Sequence, residues 1–233
     1  TAAAQAPDTT AAEGYRFTDV KLIPMTPVKD QSRSGTCWCY STLSFLEGEI
    51  LRAGGAPVHL SEMWIVRHTF MEKAVKYIRM HGEINFAEGG ASRDVTEGIR
   101  NYGIVPFEAY PGFNYGTEKA DFHELSRVLK AYLDAVMEPA PNLRTSRSRR
   151  LETGFQRHSG RIFRPDARDL HLSGKEYTPR TSPPRCRSTS TTISTSVRSS
   201  HHPFYTQFII EVPDNWMWGT VYNLPLDEMM PSW

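Results

Sequence analysis

Cysteine is scarce in this chain. Three cysteines in 233 residues cannot make a disulfide framework, and Cys37 and Cys39 lie too close together to staple much. Charge of one sign is lacking too: the formal net charge is +1, so the balance points neither to nucleic acid nor to an acidic surface. No apolar run approaches the length of a membrane span. Apolar content is still ample for a core, in one large domain or two small ones. The chain opens with Thr1 and an Ala/Thr-rich run, TAAAQAPDTTAAE, which reads as a flexible leader over residues 1–13. That run is either the mature end left by a removed export signal or a fragment boundary. The first alternative implies a periplasmic or extracellular protein; the second leaves the cytoplasm open.

Past the leader, Pro24 and Pro27 keep residues 15–28 extended. A helix is predicted from Cys37, with Trp38, Leu43, Leu46 and Ile50 near helical spacing and Gly54-Gly55 as its stop. Ser61 is the expected N-cap of a second helix carrying Met63, Val66, Phe70 and Ala74. Ser92 is the expected cap of a third, with Val95, Ile99 and Tyr102 on one face and Gly103 at its end. Leu125, Val128, Leu129, Tyr132 and Val136 mark a fourth. Phe208, Ile209, Ile210 and Val212 read as a buried strand.

The chemistry gathers in residues 27–41, PVKDQSRSGTCWCYS. A thiol attacks as its thiolate, which a helix N-terminus stabilises through unpaired N–H groups and the helix dipole. Cys37 begins the apolar-periodic segment, where that effect is largest. Six residues upstream, the Gln31 amide is placed to join the Cys37 backbone N–H as a donor pair for the oxyanion of a tetrahedral intermediate. A lone cysteine at a helix start is more often structural; the Gln-x3-Gly-x-Cys-Trp combination is far more specific.

Gln31, Gly35, Cys37 and Trp38 resemble the oxyanion glutamine and nucleophile motif of the papain-like cysteine peptidases. Papain has a second cysteine and glycine before its nucleophile, which this chain lacks. SGTCW is instead similar to the bleomycin hydrolase and aminopeptidase C branch. LSEMW, residues 60–64, and EGGASRDVTEGIRNYGIVPFEAYPG, residues 88–112, extend the likeness, as does HHPFYTQFIIEVPDNWMWG near the end. The resemblance implies an α+β papain-like fold: a helical, nucleophile-bearing domain over residues 14–141 and a partial continuation over 201–233, with the β domain incomplete. It implies an aminopeptidase acting on peptide substrates through an acyl-enzyme on Cys37, with Gln31 at the oxyanion. Gly89 and Gly90 fall on the glycines whose backbone lines the substrate cleft; alone, such a pair would more often be an ordinary turn. No cofactor, metal, nucleic acid or membrane is implied, and relatives of this branch often form homo-oligomeric rings.

The base of such a site is a histidine oriented by an asparagine. His171 has a papain-like spacing from Cys37, but RDLHLSG lacks the apolar strand that should carry the base. Asn215-Trp216 superficially matches Asn-Ser-Trp, yet the preceding Val212-Pro213-Asp214 fits the segment before the histidine. His201 and His202 fall in that segment and read as structural. By this alignment the catalytic His and Asn come after Trp233.

Residues 142–200 have no period and few apolar residues, as in TSRSRR and RSTSTTISTSVRSS. Reading back-translated residues 151–173 one nucleotide later, or 182–199 one nucleotide earlier, permits sequences similar to the family that join their in-frame flanks. A frameshifted segment is therefore the expectation, poorly packed in this literal chain; a natural linker is the alternative. Two rival functions stand beside the peptidase: a catalytically dead peptide-binding module, and nucleic-acid binding by the Ser/Arg tract alone.

Overall fold

The computed structural model describes residues 15, 17–19, 21–114, 116, 118–137, 154, 155, 157, 159, 160, 170–172, 175–181 and 194–230. The Ala/Thr-rich leader and most of the 142–200 stretch, Cys186 included, lie outside the described residues. Four helices form the body. Helix α1, Cys37–Arg52, begins at the nucleophile candidate and buries Trp38, Cys39, Leu43, Leu46 and Ile50 on one face. Helix α2, Glu62–Arg79, starts as expected: the Ser61 hydroxyl accepts from the Trp64 N–H at 3.1 Å and donates to the Tyr110 carbonyl at 2.6 Å.

Helix α3, Ser92–Tyr102, differs by one position. Ala91 is its N-cap and Ser92 its first helical residue. The capping is done from inside the helix, where the Asp94 carboxylate accepts from the Ala91 N–H at 3.1 Å. Gly103 ends α3 with φ +78°, and a side chain there would also collide with the Pro179 carbonyl. Helix α4, His123–Met137, buries Leu125, Leu129 and Leu133. Val128, expected on that face, is 43% exposed; the stripe advances through Leu133 instead.

Helices α1 and α2 both pack on α3, and α2 packs on α4. Edge-to-face aromatic pairs run through the core, Phe70 with Phe122 at 6.1 Å and Phe86 with Phe155 at 6.3 Å. Phe155 is a buried anchor from the stretch in which the sequence shows few apolar residues.

Strands β1, Leu170–Leu172, and β2, Lys175–Tyr177, form an antiparallel ribbon. A second sheet has the order β3-β5-β4, with β3 at Ser196–Val197, β4 at Gln207–Ile209 and β5 at Thr220–Asn223. β3 runs parallel to β5, and β4 antiparallel. A short helix α5, Leu226–Met229, follows. The strand expected around Phe208 exists but is not buried. It is an edge strand, with Phe208 half-buried, Ile209 42% exposed and Val212 50% exposed. Continuous apolar sequence fits a buried strand or one whose outer face is uncovered, and local pattern cannot separate them.

Candidate active site

Cys37 is exposed and is the first residue of α1, so its N–H has no intrahelical acceptor. The preceding loop is held in place by its own side chains. The Gln31 amide donates to the Ser34 carbonyl at 2.7 Å, and the Ser34 hydroxyl returns a bond to the Gln31 carbonyl at 2.8 Å. One amide N–H of Gln31 is thus engaged, and an oxyanion would draw on the other. Arg33 fastens the loop to the chain ahead of α4, donating to the Ala120 carbonyl at 3.1 Å and accepting from Phe122 at 3.0 Å.

The segment leading into the loop is held by a buried ion cluster. Lys29 donates to Glu47 at 2.7 Å and to Glu62 at 2.6 Å. Glu47, fully buried in α1, also accepts from Thr26 at 2.5 Å and from the Leu60 N–H at 2.7 Å. Burial works to lower the Lys29 pKa, but the two carboxylates outweigh it and the pKa rises. Burial pushes the Glu62 carboxyl up, against the pull of Lys29. A satisfied cluster of this kind ties residues 26–29 to α1 and α2, and so sets where Gln31 begins.

Glu88 joins the loop before Cys37 to the extended Gly89-Gly90 segment. Its carboxylate accepts from the Gly35 N–H at 2.5 Å and from Ser126 of α4 at 2.7 Å. Its carbonyl accepts from the Trp38 indole N–H at 2.9 Å. The residues on either side of Thr36-Cys37 are therefore both bonded to the residue before Gly89. Side chains at the two glycines would collide with their surroundings. A Cβ at Gly90 would sit 2.6 Å from the Asp94 carboxylate and 2.8 Å from the Trp38 ring; one at Gly89 would strike the Asp214 carboxylate.

Beneath this segment lies Lys73, a lysine of α2 that is 1% exposed. Its ammonium donates to the Ala87 carbonyl at 2.8 Å and to the Gly89 carbonyl. Beside it, Asp94 accepts from the Trp216 indole at 2.9 Å, and burial raises its pKa despite that bond and the Ala91 N–H. Lys76 donates to the Trp216 carbonyl at 2.7 Å and lies 3.7 Å from the centre of the Trp218 ring. A cleft of about 130 Å³ opens where Gly90, Ala91 and Ser92 meet Ile210, Val212 and Asp214.

Cys39 is the opposite of Cys37: fully buried, its thiol donates to the Glu62 carbonyl at 3.6 Å. Burial, reinforced by Glu62, raises its pKa well above the usual thiol range. Asn215 closes its own loop, donating to the Ile210 and Gly219 carbonyls at 2.9 and 3.0 Å and accepting from the Gly219 N–H at 2.9 Å. His202 stacks on Phe208 at 3.8 Å, and His201 is exposed. His171 lies in β1 opposite Glu176; its side chain lies outside what is described.

The papain family cysteine protease model matches residues 16–135, just over half of the chain. The chain belongs to this family. Oryzain gamma chain of Oryza sativa subsp. japonica is 36% identical over 121 residues, 47% of this chain and 30% of the relative. Cathepsin L2 of Homo sapiens is 33% identical over 75 residues, 28% of this chain and 22% of the relative. The chain therefore spans less than a third of the length of these relatives. Among solved structures, PepW from Lactobacillus rhamnosis superposes with a TM-score of 0.65 at 15% identity, covering 88% of this chain and 55% of that one. The papain-like α+β fold, a helical N-terminal part followed by a small sheet, is common to both.

The motif pattern named Cys37, Gln31, Gly89 and Gly90, and Glu88 is the residue through which the loop before Cys37 meets the Gly89-Gly90 segment. Glu88, Lys73 and Asp94 escaped the sequence reading. Lys73 did leave a signal: it falls on the apolar stripe of α2 with Phe70, Ala74 and Tyr77.

Proposed function

We propose that this chain carries the nucleophile half of a papain-family aminopeptidase of the bleomycin hydrolase and aminopeptidase C kind. Cys37 attacks the scissile carbonyl, the Cys37 N–H with Gln31 stabilises the oxyanion, and Gly89-Gly90 lines the cleft for a peptide. The observation that carries this reading is the exposed Cys37 at the start of α1, bracketed with Thr36 by Gly35 and Trp38, both hydrogen-bonded to Glu88, next to Gly89. The aminopeptidase branch and the homo-oligomeric ring rest on the motif resemblance; peptides as substrates rest on the family. The small sheet fits an incomplete β domain.

A second reading, a peptide-binding module without turnover, is favoured by Asn215, whose amide is engaged in its own loop. Deacylation needs a positioned general base, and leaving-group protonation its conjugate acid, together worth about 10²–10⁴ in rate. The test compares the 233-residue chain with Cys37→Ala, using an aminoacyl chloromethyl ketone and an aminoacyl fluorogenic substrate. The expected result is Cys37-dependent covalent labelling with little turnover. Labelling that persists in Cys37→Ala would remove Cys37 as nucleophile. Peptide capture without acylation would establish the second reading. Steady, Cys37-dependent turnover would place a base within this chain, with His171 the first residue to mutate.

A further inference from the structure

A lysine with 1% exposure needs a reason, because desolvating an ammonium is costly unless acceptors replace its water. Lys73 has two, the carbonyls of Ala87 and Gly89, and both belong to the segment that reaches Gly90. It also lies 5.7 Å from the Phe70 ring centre and 5.8 Å from that of Trp216. The ammonium thus sits under the Gly89-Gly90 segment, between it and the Trp216 ring of the 210–219 loop.

We propose that Lys73 is a positioning residue for peptide binding: by holding the Gly89 carbonyl inward, it fixes the main chain of Gly89-Gly90 in the pose that a substrate backbone pairs with. The proposal rests on the reading of these glycines as the substrate-binding strand. Two features support it independently of sequence likeness. Lys73 is a buried cation whose bonds go to main-chain carbonyls of this segment, those of Ala87 and Gly89, and with no Cβ at either glycine Asp214 and the Trp38 ring approach the main chain closely, so its pose has little room to shift. The charged groups facing Lys73 are Asp94 of α3, Asp214 of the 210–219 loop and Glu88 of the segment itself, with Lys76 one helical turn away. Burial brings Lys73 down to about 8, against the pull of those three carboxylates. Below that pH it is an ammonium with three donors. As pH rises through it the charge is lost and the bonds to the carbonyls weaken.

The experiment measures, on the intact chain, the rate of Cys37 modification by an N-blocked dipeptidyl chloromethyl ketone divided by the rate with iodoacetamide. Both reagents require the Cys37 thiolate, so its ionisation cancels and the ratio reads peptide binding. The expected result is a wild-type preference for the peptidyl reagent that falls as pH passes about 8. Lys73→Met should lose about tenfold of that preference and the pH step, with iodoacetamide labelling unchanged. Lys73→Gln, which keeps donors but no charge, should show an intermediate and pH-independent ratio; it stands in if Lys73→Met does not fold. A preference retained in these variants, or a pH step that survives in them, would overturn the role of Lys73. A wild-type chain that reacts with iodoacetamide at Cys37 but shows no peptidyl preference would instead overturn the substrate-strand reading, and this proposal with it.

Discussion

The Trp38 indole N–H donates to the Glu88 carbonyl across 2.9 Å, and the ring of the same tryptophan covers the place where a Gly90 side chain would be. One residue beside Cys37 therefore sets both the position and the allowed size of the Gly89-Gly90 segment opposite it. The link between the two halves of the motif is made by an aromatic side chain and a main-chain acceptor, 50 residues apart in sequence.

Gly90→Ala should break this fit. The added methyl would lie 2.6 Å from Asp94 and 2.8 Å from Trp38, and neither is the free end of a flexible chain, since Asp94 is bonded to Trp216 and Ala91. Overpacking of this kind costs roughly 1–3 kcal/mol. Denaturant unfolding should show that loss, and intrinsic tryptophan fluorescence should shift as Trp38 gives way. An unfolding midpoint equal to wild type would show that the strand can move aside.

Cys37 should be alkylated by iodoacetamide near neutral pH well before Cys39. Cys37 is exposed at the helix start, while Cys39 is buried with its pKa raised by burial and by Glu62. Peptide mapping after brief labelling should place the adduct on Cys37, and Cys39 should react only on unfolding. An adduct found mainly on Cys39 would overturn the assignment of the nucleophile.

Lys29→Met should destabilise the chain by roughly 3–5 kcal/mol at neutral pH, because Glu47 and Glu62 would be left buried without their cation. The pH dependence has a definite sign. Burial raises the folded pKa of Glu62 above its ordinary 4.5, so the folded chain binds more protons than the unfolded chain just above that pH. Stability from this group is present below 4.5 and declines as pH rises through the raised value. Removing Lys29 raises that pKa further and steepens the decline, so the variant should recover relative to wild type as pH is lowered toward 4.5. For Lys29 itself the raised pKa means that its contribution is present below 10.5 and lost at more alkaline pH. Thermal melts of both chains across pH check this; an equal deficit at pH 5 and pH 8 would refute it.

The helices were legible because their signals are local. The Gly54-Gly55 stop, the Ser61 cap and the Gly103 terminus each act within a turn of where they stand. Val128 and Leu133 were exchanged on α4 because both fit a helical period, and only the neighbouring helix decides which one is covered. The buried charges were invisible for a different reason. Glu47 reads as an ordinary solvated glutamate until Lys29, 18 residues earlier, is placed beside it. Lys73 likewise acquires a role only when the chain returns with Ala87 and Gly89. Periodicity reports which face is apolar; it does not report which polar group another segment will bring to that face.

The docking of Trp216 against Asp94 and Lys76 has a consequence for how this protein can vary. These bonds span 122 and 140 residues, and they fasten the 210–219 loop directly to α2 and α3. The location of that loop is therefore fixed both by these attachments and by the β4–β5 pairing that frames it. Closure entropy grows only slowly with length, about 0.6 kcal/mol for each doubling. Changes of length between α4 and β3 can then accumulate while the cleft keeps its shape, provided Phe155 stays in the core and Trp216 still finds its two partners.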